Sequence, residues 1–315
     1  MRAFVRDASG VALELPAPLE WELEYGIGTP CDSFFYRCAM DQLSGTQRKN
    51  WVGFTAEHEG KRVFTGRIDE CEAVLDERGR VLELAGRGMA ALLLDNEALG
   101  QDYQLATLED ILRDHVEPYG IETAERPRLP QVPRFRVDTG SSEWTALEEF
   151  LRSCGGNTPR FDSTGRLVLA AWEDTEVLTV DDRTPVTRLC CRDRRYGVLS
   201  EILVRDRYSG RIERVRNENF CTLGGSARRV MTMAGRAAGS EMLRAGQEQL
   251  RRSVREWEEL EITVPIAFFA MPGKLVELKR SGFDRRGLYR TVKSAVGADE
   301  RGGWTRLTLR PTKNM

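Results

Sequence analysis

The chain is poor in the residues that most often do chemistry. Only two histidines occur in 315 residues, His58 and His115. That count excludes a His-rich metal centre. His58 precedes Glu59-Gly60 in a turn. His115 falls late in a helix, where a cation suits the negative end of the helix dipole. Both are expected at the surface. The seven cysteines are Cys31, Cys38, Cys71, Cys154, Cys190, Cys191 and Cys221. They show no C-x-x-C spacing, and an odd number at irregular intervals fits neither a disulfide framework nor a zinc site. Reduced and largely buried thiols are the expectation. No G-x-S-x-G offers a nucleophile elbow. No run approaches the roughly 18 apolar residues of a membrane-spanning helix.

An excess of one charge is missing too, with 47 basic residues against 49 acidic ones. A strong sequence-independent attraction to nucleic acid is therefore not expected. Basic runs occur at Arg192–Arg195, Arg228-Arg229 and Arg251–Arg255. The last is interleaved with Glu248, Glu256, Glu258 and Glu259, which reads as a mixed-charge helix face. The opening residues, Met1-Arg2-Ala3-Phe4-Val5-Arg6-Asp7, lack a signal-peptide apolar region, so folding in the cytoplasm is expected. No motif asks for a cofactor.

What is present is mostly strand pattern. The length suggests about two domains, or three small ones. In residues 1–57, Ala12–Leu15 and Leu19–Tyr25 alternate, and Ser33–Ala39 and Trp51–Glu57 are further strands. Gly26-Ile27-Gly28-Thr29-Pro30 reads as a turn, and Asp41–Asn50 as a polar loop without period. Val63–Ile68 and Val81–Ala85 then form a hairpin about Asp76-Glu77-Arg78-Gly79, because Gly tolerates positive φ and Asp closes such turns. Residues 96–185 change character. Thr107-Leu108-Glu109-Asp110 is an N-cap signature before Leu108, Ile111, Leu112 and Val116 at helical spacing. A second helix is expected over Trp144–Cys154, ended by Gly155-Gly156. Residues 186–315 return to strands, with one helix at about Ser240–Trp257 whose inward side is read as Leu243, Leu250, Val254 and Trp257. The hairpin turn has an echo at Asp299-Glu300-Arg301-Gly302, followed by Leu307 and Leu309 as the first is by Leu82 and Leu84. A four-residue match at a hairpin is cheap, but it points to two related β domains.

One stretch imitates a nucleotide site. Gly86-Arg87-Gly88-Met89-Ala90-Ala91 has the shape G-x-G-x-x-A after a strand, with Glu109 some 20 residues on. The strand before it alternates instead of being apolar on both faces, and the apolar run after it ends at Asp95-Asn96. A tight exit from the hairpin is the better reading of these glycines.

The stretch VFTGRIDECEAVLDERGRVLELAGRGMAALLLDNEA, followed by YQLATLEDILRDHVEPYGI, resembles the baseplate hub proteins of contractile phage tails. The likeness is to those of PBSX-like prophages and phage-tail-like bacteriocins, in the late-control-D group. SSEWTALEEFLRSCGGNTPRFDSTGRLVL, MPGKLVEL, GLYRTVKSAV and WTRLTLRP continue the resemblance in order. It implies an α+β, mainly β chain: two tail-tube-like β-barrel domains with a small α/β domain between them. The corresponding divisions are 1–95, 96–185 and 186–315, with residues 186–235 either completing the first barrel or opening the second. It implies a homotrimeric ring of pseudo-sixfold symmetry, without catalysis, joining the hexameric tail tube protein to the trimeric central spike protein. Other baseplate proteins and the tape-measure protein would be neighbours. The particle, phage tail or tail-like, would be assembled in the bacterial cytoplasm. A ring needs apolar interfaces, and the candidates are Phe34, Phe35, Tyr36, Phe268 and Phe269. The alternatives are a tail-associated peptidoglycan-degrading hub and, on Gly86–Ala91, a dinucleotide-binding enzyme.

Overall fold

The structure is a computed structural model that describes residues 1–27, 31–40, 48–76, 79–172, 174, 176–233 and 238–312. Parts of the expected turn at Gly26–Pro30, of the Asp41–Asn50 loop and of the Asp76–Gly79 turn lie outside these residues. The chain is 48% strand and 17% helix, hence α+β and mainly β. It divides into two units. The first holds Met1–Thr175, Pro265–Gly273 and Lys293–Arg306, and the second Glu176–Val264, Lys274–Val292 and Leu307–Met315.

The first unit begins with an antiparallel sheet. Its strands are β1 (Arg2–Asp7), β2 (Ala12–Glu14), β3 (Pro18–Gly26), β4 (Ser33–Ala39), β5 (Trp51–His58), β6 (Lys61–Asp76) and β7 (Gly79–Gly88). Pairing runs β3-β4-β7-β6-β5-β1-β2. Alternation in sequence becomes alternation in burial, because successive side chains leave a strand on opposite faces. In β3, Trp21, Leu23 and Tyr25 are buried, and in β4 Phe34, Tyr36 and Cys38. Leu19, expected on the same face as Trp21, is 56% exposed. A bulge between Pro18 and Glu20 shifts the register there.

The core is aromatic. Phe34 and Phe54 stack with centroids 3.9 Å apart, and Phe64 meets Phe34 edge-on at 5.5 Å. Two glycines make room for this. A β carbon on Gly66 would lie 2.3 Å from the Arg87 carbonyl oxygen and 2.8 Å from the Phe64 ring. One on Gly86 would lie 2.0 Å from the Arg67 carbonyl oxygen and 2.7 Å from the Phe34 ring. The expected exit at Gly86-Arg87-Gly88 is thus corrected. β7 continues through Gly88, and the glycines serve close strand contact.

An α/β block completes residues 1–175. It comprises α1 (Ala91–Leu94), β8 (Gln101–Ala106), α2 (Leu108–His115), β9 (Thr123–Glu125), β10 (Val132–Val137), α3 (Glu143–Cys154), β11 (Arg160–Phe161) and β12 (Leu167–Val168). The Thr107 cap is observed: its hydroxyl accepts from Asp110 N–H at 3.1 Å, and Asp110 accepts from Thr107 N–H at 3.1 Å. Ser142 caps α3, and Gly155 ends it in the left-handed region at φ 75°.

The second unit contains β13 (Val177–Val180), β14 (Arg188–Asp193), β15 (Glu201–Asp206), β16 (Ile212–Arg216), α4 (Glu218–Thr222), β17 (Arg228–Met233), α5 (Gly239–Val254), β18 (Glu258–Val264) and β19 (Leu275–Leu278). α5 lies on β15 and β16 with Met242, Gly246 and Leu250 inward, whereas Leu243 is 38% exposed. This corrects the expected helix face. The contact is a glycine, and a β carbon on Gly246 would lie 2.7 Å from Val215. Glu201, 7% exposed, accepts from Arg214 at 2.7 Å and pairs with Arg228, tying β15 to β16 and β17.

The last strands are β20 (Gly287–Asp299) and β21 (Gly302–Pro311). Within the first unit, Lys293–Ala298 pair antiparallel with β3. The Asp-Glu-Arg-Gly echo has a backbone counterpart, since Gly79 and Gly302 open β7 and β21 at φ 116° and 111°. Among the described residues the pairing order has free ends, and no ladder closes a barrel.

Gly86→Ala is expected to cost about 2–3 kcal/mol in urea denaturation, as overpacking does. Gly53→Ala, whose β carbon would meet nothing nearer than 3.6 Å, should cost less than about 1 kcal/mol. Equal effects would remove the close-contact account.

Candidate functional site

Of the five apolar interface candidates, the three on β4 separate by strand phase. Phe34 and Tyr36 are 3% and 1% exposed and belong to the core. Tyr36 donates to the Pro16 carbonyl at 2.7 Å. Phe35 is half-buried on the opposite face of β4. Phe268 and Phe269 are also half-buried. Phe269 stacks on Trp21 at 6.2 Å and meets His58 at 5.2 Å, and the Phe268 N–H donates to Thr305 at 2.9 Å.

The glycine stretch 86–91 is not built for a nucleotide. β7 is antiparallel to both neighbours, β4 and β6, and α1 has four residues. Its Arg87 is instead a clamp. The guanidinium donates to Asp69 at 2.7 and 3.0 Å and to Asp95 at 2.8 and 2.7 Å. Asp95, bonded to Arg87, is held below the usual carboxylate range. The cation in turn is held above the usual range by its bonds to Asp69 and Asp95.

His115 is not at the surface as expected, being 3% exposed. Its Nδ1–H donates to Glu143 at 2.6 Å, Nε2 shares a hydrogen bond with the Tyr103 hydroxyl at 2.9 Å, and Tyr119 donates to Glu143 at 2.9 Å. The signal was in the spacing. His115 continues the Leu108, Ile111, Leu112 stripe, and Glu143 lies under Leu147 and Phe150. By pattern alone His115 reads as a surface position, and Glu143 falls just before the expected second helix, which in fact begins with it. The four side chains join β8, α2, α3 and the turn after α2. At this burial they hold elements together and do not meet a substrate.

One carboxyl stands apart. Burial raises Asp32 to about 7, against a hydrogen bond from Gly26 N–H at 2.9 Å that lowers it, with nearby Glu24 adding a smaller rise. Among the described residues no group of three or more His, Cys, Asp or Glu could hold a metal ion.

With this architecture established, comparison with known proteins is informative. No family model matches the chain. Its fold is that of phage tail proteins. A tail protein from Neisseria meningitidis MC58 superposes with a TM-score of 0.78 at 18% identity, over 99% of this chain and 96% of that one. The tail protein of prophage MuSo2 from Shewanella oneidensis does so with a TM-score of 0.82 at 14% identity, over 100% of both chains. In sequence, 108 residues are 32% identical to baseplate hub protein gp44 of Escherichia phage Mu. That stretch is 32% of this chain and 28% of the phage Mu protein, so the match spans under a third of that relative.

Glu143→Ala strands the His115 imidazole in the interior and removes the acceptor of the half-buried Tyr119 hydroxyl, and should cost about 3–5 kcal/mol in denaturant titration. A loss below about 1 kcal/mol would show the network to be dispensable. Asp32 gives a pH test. An acid raised in the folded state keeps a proton that the unfolded chain has lost, so stability due to it falls as pH rises from 3.8 through about 7. Asp32→Asn should therefore be more stable than the native chain above that value, by on the order of 2 kcal/mol, with the gap closing toward acid. A gap independent of pH would refute this.

Proposed function

We propose that the chain is a structural hub of a contractile-tail baseplate and carries out no catalysis. The observation that carries this reading is the coincidence of two likenesses. The whole chain shares its fold with two phage tail proteins, and about a third of it shares sequence with a baseplate hub. Three copies form a ring of pseudo-sixfold symmetry between the hexameric tube and the trimeric spike. The two β units serve as the tube-like domains, with the α/β block as an accessory.

Its mechanism is packing. Unpaired strand edges attract further strands, and proteins that do not use them cover or charge them. Here β2 is exposed along its length, with Val11 beside it 65% exposed. In β17, paired among the described residues with β15 alone, Val230 is 61% exposed. Such edges suit pairing between neighbours in a closed ring. Phe35, Phe268 and Phe269 contribute apolar contact. The buried His115–Glu143 pair is closed off by its own partners and serves the fold in this reading.

The reading is tested on particles. Electron microscopy of tails purified from the producing cell should locate the protein at the baseplate in three copies. Its absence from them rejects the hub. Phe35→Asp should leave denaturation within about 1 kcal/mol of native, as surface changes do, yet cut particle yield at least tenfold. A normal yield removes Phe35 from the interface. Purified protein should release no peptidoglycan fragments, and release would restore the wall-degrading alternative.

A further inference from the structure

The first unit contains a polar site that the hub reading does not use. A cavity of about 250 Å³ opens among Tyr25, Asp32, Arg160, Phe161, Trp172 and Met271. It adjoins a void of about 20 Å³, which shares Asp32, Arg160 and Phe161 with it and reaches Trp144. The larger space suits a single ring or a short acyl chain, and the smaller one suits one polar group or a water.

Three observations define what fits. Arg160 donates to the carbonyl oxygens of Ala170 at 2.6 Å and Ala171 at 3.4 Å, and its guanidinium stacks 3.8 Å from the Trp172 ring centre. No described carboxylate pairs with it, so a half-buried cation keeps donors to spare. Trp144 is 4% exposed and its indole N–H has no hydrogen-bond partner among the described residues. A buried donor left without an acceptor is costly, and such cases ask for an explanation. Phe161, Trp172 and Met271 form an apolar side to the lining, with Asp162 and Ser163 as its further polar members.

We propose that this site binds a carboxylate carried on a small aromatic or aliphatic body, its oxygens accepting from Arg160 and Trp144. The body lies among Phe161, Trp172 and Met271. Planar carboxylates match the guanidinium fork. Phosphate fits less well, because it would bring more negative charge beside Asp32 and Asp162 and no apolar part. Asp162 is itself engaged by Arg166 at 3.0 Å. Asp32 sits where the two spaces meet, with Glu24 acting on it from β3 and the Tyr25 phenol beside it. With a proton on, Asp32 no longer repels the ligand.

The ligand has two sources, a free small acid or the C-terminal residue of a partner chain. Hydrocinnamate is the first probe, titrated into the full chain by calorimetry with hydrocinnamide as control. The acid should bind at least about tenfold more tightly than the amide. In the native chain one indole N–H resonance should move downfield, and it should be the one missing from Trp144→Phe. Arg160→Gln should weaken the acid about tenfold and leave the amide unchanged. Affinity for the acid should fall as pH rises through about 7, and Asp32→Asn should flatten that dependence. A short peptide ending in Phe with a free carboxyl, compared with its C-terminal amide, is the second arm. Tight binding of the peptide acid assigns the site to a chain terminus, and binding of hydrocinnamate alone assigns it to a small molecule. Either supports the proposal. Equal affinity for acid and amide in both arms, or an unmoved Trp144 resonance in the native chain, overturns it.

Discussion

The close passage of β6 against β7 at Gly66 and Gly86 is the contact on which the first unit depends. Each glycine does two things at once. It brings its backbone against a carbonyl of the other strand, and it leaves a hollow filled by a ring, Phe64 at Gly66 and Phe34 at Gly86. The rings then meet one another and Phe54. Register and core are therefore one constraint, since slipping β6 by a residue would turn its whole apolar set to the other face. The same register holds Arg87 where it reaches both Asp69 and Asp95. The α/β block thus starts from a point fixed by the sheet.

The second organising element is polar. His115–Glu143 in one unit and Glu201 with its two arginines in the other are carboxylates removed from water and fully partnered. Such groups add little net stability over apolar residues of like size, but they penalise every arrangement that leaves them unpaired. Neither cluster resembles a reaction centre, since each charge is met by fixed protein donors.

Much of the fold was legible. Alternation gave the strands of the first sheet, and Thr107 and Gly155 marked helix ends where they are found. The errors came from residues whose role depends on what approaches them. Gly86 looked like a break because strand patterns are read from side chains, and it has none. Gly246 hid the inward face of α5 for the same reason, leaving Leu243 to stand in for it. His115 was read by polarity, although its spacing placed it on an apolar stripe, and Glu143 lay just outside the expected second helix. Phe34, Phe35 and Tyr36 were a run of adjacent aromatics, and strand phase divides such a run between two faces. The site at Arg160 and Trp144 was not legible at all. It joins residues from β3, from the start of β4, from the α/β block and from the Met271 segment, which no local pattern connects.

One pairing bears on how the protein is made. β3 has β4 on one side and Lys293–Ala298 on the other. The second partner leaves the ribosome some 270 residues after the strand that awaits it, as the Lys293–Glu24 ion pair with its sequence separation of 269 illustrates. Until then a nascent sheet exposes an open edge and part of an aromatic core, the condition under which chains pair with one another. Contacts this distant along the chain also slow folding. Synthesis therefore passes through a long interval in which the first unit depends on being kept apart from other copies of the nascent chain.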